Sequence, residues 1–313
     1  MMNTRFGGLI LAIAVFAGAN LAPHAAAALG FSRIIAFGDS LTDNGNFFAA
    51  TGDTQPPSPP YFEGRFSNGP VWVEGLAASI GVALDDFAVG GALTGRDNEN
   101  DDPSIPAAFP GLLDEIDTFV ALNPGGGPAD ALYVVWAGAN DLLAPFSDAA
   151  AVITGAMVNI ATAIGTLVVA GAQHFLVPNM ADLGLTPLAG ALGVSAQLTA
   201  LSAAFNTALD GTLASLGVDF RVLDVFGLMN TVIGDPGAFG LTNVTMPCLD
   251  LAGPSVCADP AGYFFWDPIH PTAVAHTLLA DAARAVIPEP GSLLILGAGL
   301  VAMLSLRRRR RAA

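Results

Sequence analysis

The sequence predicts an α/β protein built on a five-stranded parallel sheet covered by helices on both faces. Short apolar runs of strand length alternate with longer runs of helical spacing, and that alternation implies parallel strands joined by crossover helices. The composition supports a large core, with 53% hydrophobic and only 12% charged residues among 313. Neither an internal repeat nor a linker divides the alternating region, so it reads as one domain spanning residues 28–287.

Taken in order, Arg33 to Phe37 reads as the first strand. Pro70 to Ile80 opens with proline, a good first helical residue, and reads as helix. Leu84 to Val89 reads as a second strand ending at Gly90-Gly91, and Phe109 to Leu122 is helical by its apolar spacing. Ala131 to Ala137 is the clearest buried strand. Ala149 to Ala170 reads as helix, His174 to Pro178 as strand, Val194 to Leu216 as helix and Asp219 to Val225 as strand. Pro271 to Val286 supplies a last helix. Two stretches break the alternation: the acidic, turn-rich Thr94 to Pro110, and the long irregular Gly234 to Phe265. Loops of that length commonly serve a site, and each is read either as a cleft wall or as a solvated insertion.

The charge is one-sided. The chain has no lysine, and five of its 11 basic residues are the terminal Arg307 to Arg311, against 27 acids. Such a body lacks the cationic footprint that nucleic acid requires.

Both termini read as targeting segments. Arg5 precedes an apolar stretch from Phe6 to about Leu21, then the small-residue run Ala25 to Ala28, which fits a signal peptide over residues 1–27 cleaved by signal peptidase. At the other end Pro288-Glu289-Pro290 leads into apolar residues 291–306 and the arginine tail. That stretch falls short of the roughly 20 residues that span a bilayer comfortably, and its arginines would stay cytoplasmic. Read physically, it is a membrane anchor. The two cysteines, Cys248 and Cys257, share one loop and form either a disulfide or two free thiols in an exported chain. No further cysteine or histidine stands at metal-ligand spacing beside them.

The chemistry is concentrated at strand ends. Ser40 lies in Gly38-Asp39-Ser40-Leu41, where the first strand runs into a turn. The expectation is that a helix opens there, with backbone N–H groups facing an anion. His270 can accept the serine proton and return it to a leaving group, and Asp267, three residues earlier, can orient the imidazole. His174 and His276, in a strand and a helix, are poorer bases. Gly90-Gly91 allows close backbone approach to a developing oxyanion, and Asn140 in Gly138-Ala139-Asn140-Asp141 offers a side-chain donor. Each segment alone is also an ordinary turn; the serine, histidine and carboxylate together are the parts of acyl transfer.

These residues bring a family into view. From Ser32 to Val286 the chain resembles the GDSL, or SGNH, hydrolases. Gly38 to Asn46 is similar to the family's first block, Phe87 to Ala92 to the second, Gly138 to Asp141 to the third and Asp267 to His270 to the last. Gly64 to Trp72 resembles a stretch of the lipase and lecithinase-like branch. The resemblance implies a three-layer α/β/α, flavodoxin-like fold with a five-stranded parallel sheet and with neither metal nor cofactor. It implies Ser40 as nucleophile, His270 as base, Asp267 as the orienting acid, and Ser40, Gly91 and Asn140 as the oxyanion hole. One departure is visible: Asp86 stands where the family often has asparagine. The absence of a Gly-x-Ser-x-Gly elbow at Ser40 argues against an α/β-hydrolase.

The C-terminal layout resembles the PEP-CTERM sorting signal of Gram-negative bacteria, which implies an exosortase-like protease and release to the exterior or its polysaccharide matrix. The expected function is an exported serine esterase or lipase acting through an acyl-enzyme. The alternatives are polysaccharide O-deacetylation or acyl transfer at the same site and, in a different class, a non-catalytic matrix or surface binding protein.

Overall fold

The computed structural model describes residues 30–101, 109–253 and 255–287. The expected signal peptide and the sorting segment 288–313 lie outside the described residues. Five strands form the central sheet: β1 (Arg33–Gly38), β2 (Ala83–Asp86), β3 (Leu132–Trp136), β4 (His174–Pro178) and β5 (Phe220–Leu223). Every pairing is parallel and the order is β2-β1-β3-β4-β5. The helices are α1 (Asn46–Ala50), α2 (Trp72–Ile80), α3 (Leu112–Leu122), α4 (Ala139–Leu143), α5 (Ala149–Val169), α6 (Pro187–Leu192), α7 (Ser195–Leu216), α8 (Val225–Gly234) and α9 (Ala273–Val286).

Side chains alternate across a strand, so each strand feeds both faces of the sheet. Ile35, Phe37, Tyr133, Val135 and Phe175 point to one face, where α3, α5 and α7 cover them. Ile34, Ala36, Leu132, Val134 and Leu176 point to the other, under α2 and α9. This is why the strands read as continuous apolar runs rather than alternating ones. Helix α5 is long and apolar enough to cross a membrane, but its Ile160, Ala163, Ile164 and Leu167 are buried on the sheet.

Several boundaries differ from expectation for local reasons. The second strand stops at Asp86 rather than Val89, because the Asp86 carboxylate accepts from Asn44 N (3.1 Å) and Ala88 N (3.0 Å) and turns the chain. Asp86 thus offers its side-chain carboxylate as acceptor to backbone N–H groups where the family often has asparagine. The fifth strand stops at Leu223, since Asp224 caps α8 by accepting from Gly227 N at 2.9 Å. The segment expected to be irregular after residue 234 contains β6 (Asn243–Pro247), β7 (Leu249–Asp250), β8 (Ser255–Val256) and β9 (Tyr263–Phe265). β6 pairs with β9, β7 pairs with β8, and a Cys248–Cys257 disulfide closes the loop. Cys248 N and Leu249 N donate to Phe265 O (3.0 Å) and Trp266 O (2.7 Å), so this small unit grips the strand that leads to Asp267.

Candidate active site

The strand order reverses between β1 and β3, and ligands in open α/β sheets gather at the carboxyl edge of such a switch point. Gly38 is in register with Trp136, so the turns carrying Ser40 and Asn140 leave the sheet side by side. Gly38 has φ +149°, and a Cβ there would lie 2.1 Å from Trp136 O, so only glycine fits.

Ser40 sits in a single turn closed by Thr42 N and Asp43 N donating to Asp39 O. The helix expected directly after it begins only at Asn46. The Asp43 carboxylate accepts from Gly45 N, Asn46 N and Phe47 N, and also from Gly90 N at 2.8 Å. The N–H groups at that helix start therefore face Asp43 and are not available to a ligand at Ser40. Buried Glu115 from α3 accepts from Gly38 N (2.9 Å) and Val89 N (3.1 Å). Asp43 and Glu115 together lock the serine turn to the Gly90-Gly91 segment.

Asp267 and His270 occupy a tight loop fastened by its own backbone. Trp266 N donates to His270 O (2.8 Å) and Thr272 N to Phe264 O (2.9 Å). Within it, Asp267 Oδ1 accepts from Ile269 N (2.8 Å) and His270 N (2.7 Å). The other oxygen, Oδ2, lies 2.7 Å from His270 Nδ1. On the far side of the ring, Nε2 lies 2.8 Å from Ser40 Oγ, across 230 residues of sequence. A carboxylate only accepts, so Nδ1 carries the ring proton and Nε2 accepts from the serine hydroxyl. Ser40 is 8% exposed. The His270 side chain is 14% exposed.

Each partner shifts the other toward its ionised form. Burial alone would lower the His270 pKa, but the Asp267 carboxylate and its hydrogen bond, with Asp39 and Glu99 nearby, hold it above the usual imidazole range. Burial would likewise raise Asp267, yet His270 and the two backbone N–H bonds keep it below the usual carboxylate value. Burial pushes Asp39 up to about 7. Burial and the neighbouring His270 push His276 down to about 3; this helix residue accepts from Trp72 N at 3.2 Å and stays out of the relay.

The oxyanion candidates are arranged unequally. Asn140 borders the same cavity as Ser40 and His270, and its Nδ2 donates to Ala92 O at 3.0 Å. Gly91 does not border that cavity. It has φ +82°, and a Cβ would lie 2.1 Å from Asn100 Nδ2, because Asn98 and Asn100 both donate to Gly90 O. Thr94 binds Asp141 through its N–H and hydroxyl. The first half of the acidic insertion thus clamps the second and third motif segments together.

Sequence reasoning missed Tyr61, whose hydroxyl donates to Asp267 Oδ2 at 2.7 Å. Burial and the adjacent carboxylate push its phenol pKa up, so it remains a donor. A lone tyrosine after a proline-rich stretch offers no spacing to read. Tyr61→Phe is expected to destabilise the protein by about 1.5–3 kcal/mol, the range for a hydrogen bond to a charged group, as measured by urea denaturation. The stretch Gly64 to Trp72 also acquires a structural account. Phe66 packs on the His270 ring with centroids 5.0 Å apart, Ser67 Oγ donates to Pro271 O (2.9 Å), and Asn68 Oδ1 accepts from Ala273 N (2.8 Å).

An α/β sheet with a serine, histidine and carboxylate relay at its switch point defines the serine-hydrolase class in which the comparisons fall. Residues 34–283 match the GDSL-like Lipase/Acylhydrolase family, and residues 286–310 match the PEP-CTERM protein-sorting motif. The chain belongs to the GDSL-like lipase/acylhydrolase family, and so to the serine hydrolases that act on ester bonds. It is 29% identical to the phosphatidylcholine-sterol acyltransferase of Aeromonas hydrophila, over 82% of this chain and 90% of that one. It is 28% identical to the thermolabile hemolysin of Vibrio parahaemolyticus, over 80% of this chain and 62% of that one. It is 26% identical to the esterase EstA of Pseudomonas aeruginosa, over 92% of this chain but only 51% of that one. A solved member of the lipolytic G-D-S-L family from Veillonella parvula aligns over 81% of this chain and 97% of its own, with 17% identity and a TM-score of 0.46. The PEP-CTERM motif indicates export and C-terminal membrane anchoring ahead of exosortase processing.

Proposed function

We propose that the protein is an exported esterase that cleaves carboxylic esters through an acyl-enzyme on Ser40. The observation that carries the reading is the continuous relay from Ser40 Oγ through His270 to Asp267, with contacts of 2.8 and 2.7 Å. Ser40 Oγ attacks the ester carbonyl while His270 Nε2 takes its proton. Asp267 holds the ring and stabilises the imidazolium. Ser40 N–H and the Asn140 amide, both at the cavity, donate to the oxyanion; Gly91 N–H, outside that lining, is the third donor the family resemblance implies. As the tetrahedral intermediate collapses, the C–O bond to the alcohol breaks and His270 returns the proton to the leaving oxygen. Water then repeats the sequence on the acyl-enzyme.

A second reading is favoured by the Aeromonas acyltransferase, of which this chain covers 90%. An acyl-enzyme does not dictate its acceptor, so an alcohol can replace water in the second half. Comparing free acid with transferred ester, at fixed water and varied alcohol, separates the two outcomes.

Residues 1–27 act as a signal peptide and residues 291–306 as a transient anchor. An exosortase-like protease acts at Pro288-Glu289-Pro290 and delivers the folded body to the exterior, in or beside a polysaccharide matrix.

A fluorophosphonate probe is expected to label purified protein at Ser40, read by peptide mass; no adduct at Ser40 in protein that melts cooperatively would remove this reading and favour a binding protein. The acid limb of the rate profile gives an independent check. His270 must be neutral to act as base, and its pKa is held above the ordinary imidazole value. Activity is therefore lost as pH falls through a value above about 6.5, the ordinary imidazole value. A limb below that value in kcat/KM would contradict the charge arrangement around His270.

A further inference from the structure

We propose that the acyl group taken by this site is a straight, medium-length aliphatic chain, held in a buried channel between the sheet and helices α8 and α9. The proposal rests on the esterase reading and narrows its substrate class. Two separate apolar clusters meet beneath the catalytic edge. One includes Leu223, Val225 and Leu279 on the sheet face. The other includes Met229, Val232, Phe265 and Ala275. The cavity that opens on Ser40 runs along the seam between them.

The cavity wall is mostly apolar. Its polar side chains are Asp39, Ser40, Asn140 and His270 of the catalytic edge, the indole of Trp136, and Thr186, whose hydroxyl is spent on Leu183 O and Ala189 N. Helix α8 lines the wall with Val225, Leu228, Met229 and Val232, spaced i, i+3, i+4 and i+7. Those two turns extend about 10 Å, the reach of an alkyl chain of about eight carbons. Helix α9 faces them with Ala275, Leu278 and Leu279. An acetyl group would touch little of this wall, and a sugar would bring hydroxyls to a surface that offers them no partner.

The channel suits the acyl half of the ester rather than the alcohol. The acyl carbon stays bonded to Ser40 through both half-reactions, whereas the alcohol must leave and be replaced by water. Val232, Phe265 and Ala275 are almost wholly buried, so the seam is closed inward. A leaving group lodged there would block its own exchange. The partly exposed His270 is where the alcohol departs and water enters.

The test uses two ester series on the purified protein: p-nitrophenyl esters of graded acyl length, and acetates of graded alkyl alcohols. kcat/KM is expected to rise about fourfold per acyl methylene up to about eight carbons and then to level or fall. The acetate series is expected to stay flat. Ala275→Leu fills the channel and should move the acyl optimum two or more carbons shorter; Met229→Ala widens it and should move the optimum longer. Opposite shifts in two variants that melt cooperatively are not produced by general loosening of the fold. A rise confined to the alcohol series, an acetyl optimum, or optima unmoved in both variants would overturn the channel while the esterase reading stands. If Ser40 takes no fluorophosphonate label and neither series is cleaved, the esterase reading falls, and the channel assignment with it.

Discussion

Ser40→Ala is expected to lower kcat on short p-nitrophenyl esters by about a millionfold, the loss seen when the nucleophile of a coupled relay is removed. The size follows from the geometry. The Ser40 hydroxyl is 2.8 Å from the ring nitrogen that would take its proton, and it borders the cavity where an ester must sit. Alanine leaves His270 with a free nitrogen and nothing to activate but water. The fold should survive, because the turn is held by main-chain bonds to Asp39 O and by Glu115 on Gly38 N, none of which uses the serine side chain. Stopped assays on protein with an unchanged melting temperature measure this directly. Activity within tenfold of the parent would remove Ser40 from the reaction.

Asp267→Asn should cost about 10⁴ in kcat. In the parent, one oxygen holds two loop N–H groups while the other faces His270 Nδ1 and the Tyr61 hydroxyl. An asparagine can satisfy only one side. If its NH₂ turns toward His270, the ring must place its proton on Nε2, where it can no longer accept from Ser40. If its oxygen turns toward His270, the NH₂ opposes the N–H groups of Ile269 and His270, and the loop loses its internal acceptor. Either arrangement breaks the relay while preserving volume. The pH–rate profile distinguishes this from unfolding: without the carboxylate, the imidazole loses the partner that raises its pKa, so the residual acid limb should move to lower pH.

Much of this architecture was legible in the chain, and the parts that were not have identifiable causes. The first, third and fourth strands are continuous apolar runs because both faces of the sheet are covered, and burial on two sides leaves the plainest pattern. The motif residues at strand ends were legible by type and order. The fifth strand was overrun because Val225 extends its apolar run, whereas Asp224 uses a side-chain cap to begin a helix. Helix α8 went unread, and with it the wall of the cavity. The region around residues 243–265 read as irregular because its strands are two to five residues long and paired across gaps. Tyr61 and Glu115 could not be found by spacing. Their importance comes from what they touch 206 and 77 residues away, which no local pattern encodes.

The distance between the halves of the relay bears on how the protein is made. Ser40 emerges early in synthesis, whereas its partner waits for residue 270, and the closing helix α9 packs against α2 about 200 residues upstream. A ribosome-bound or half-translocated chain carries the hydroxyl without its base. The relay therefore cannot assemble until residue 270 is in place, when only about a seventh of the 313 residues remain to be added.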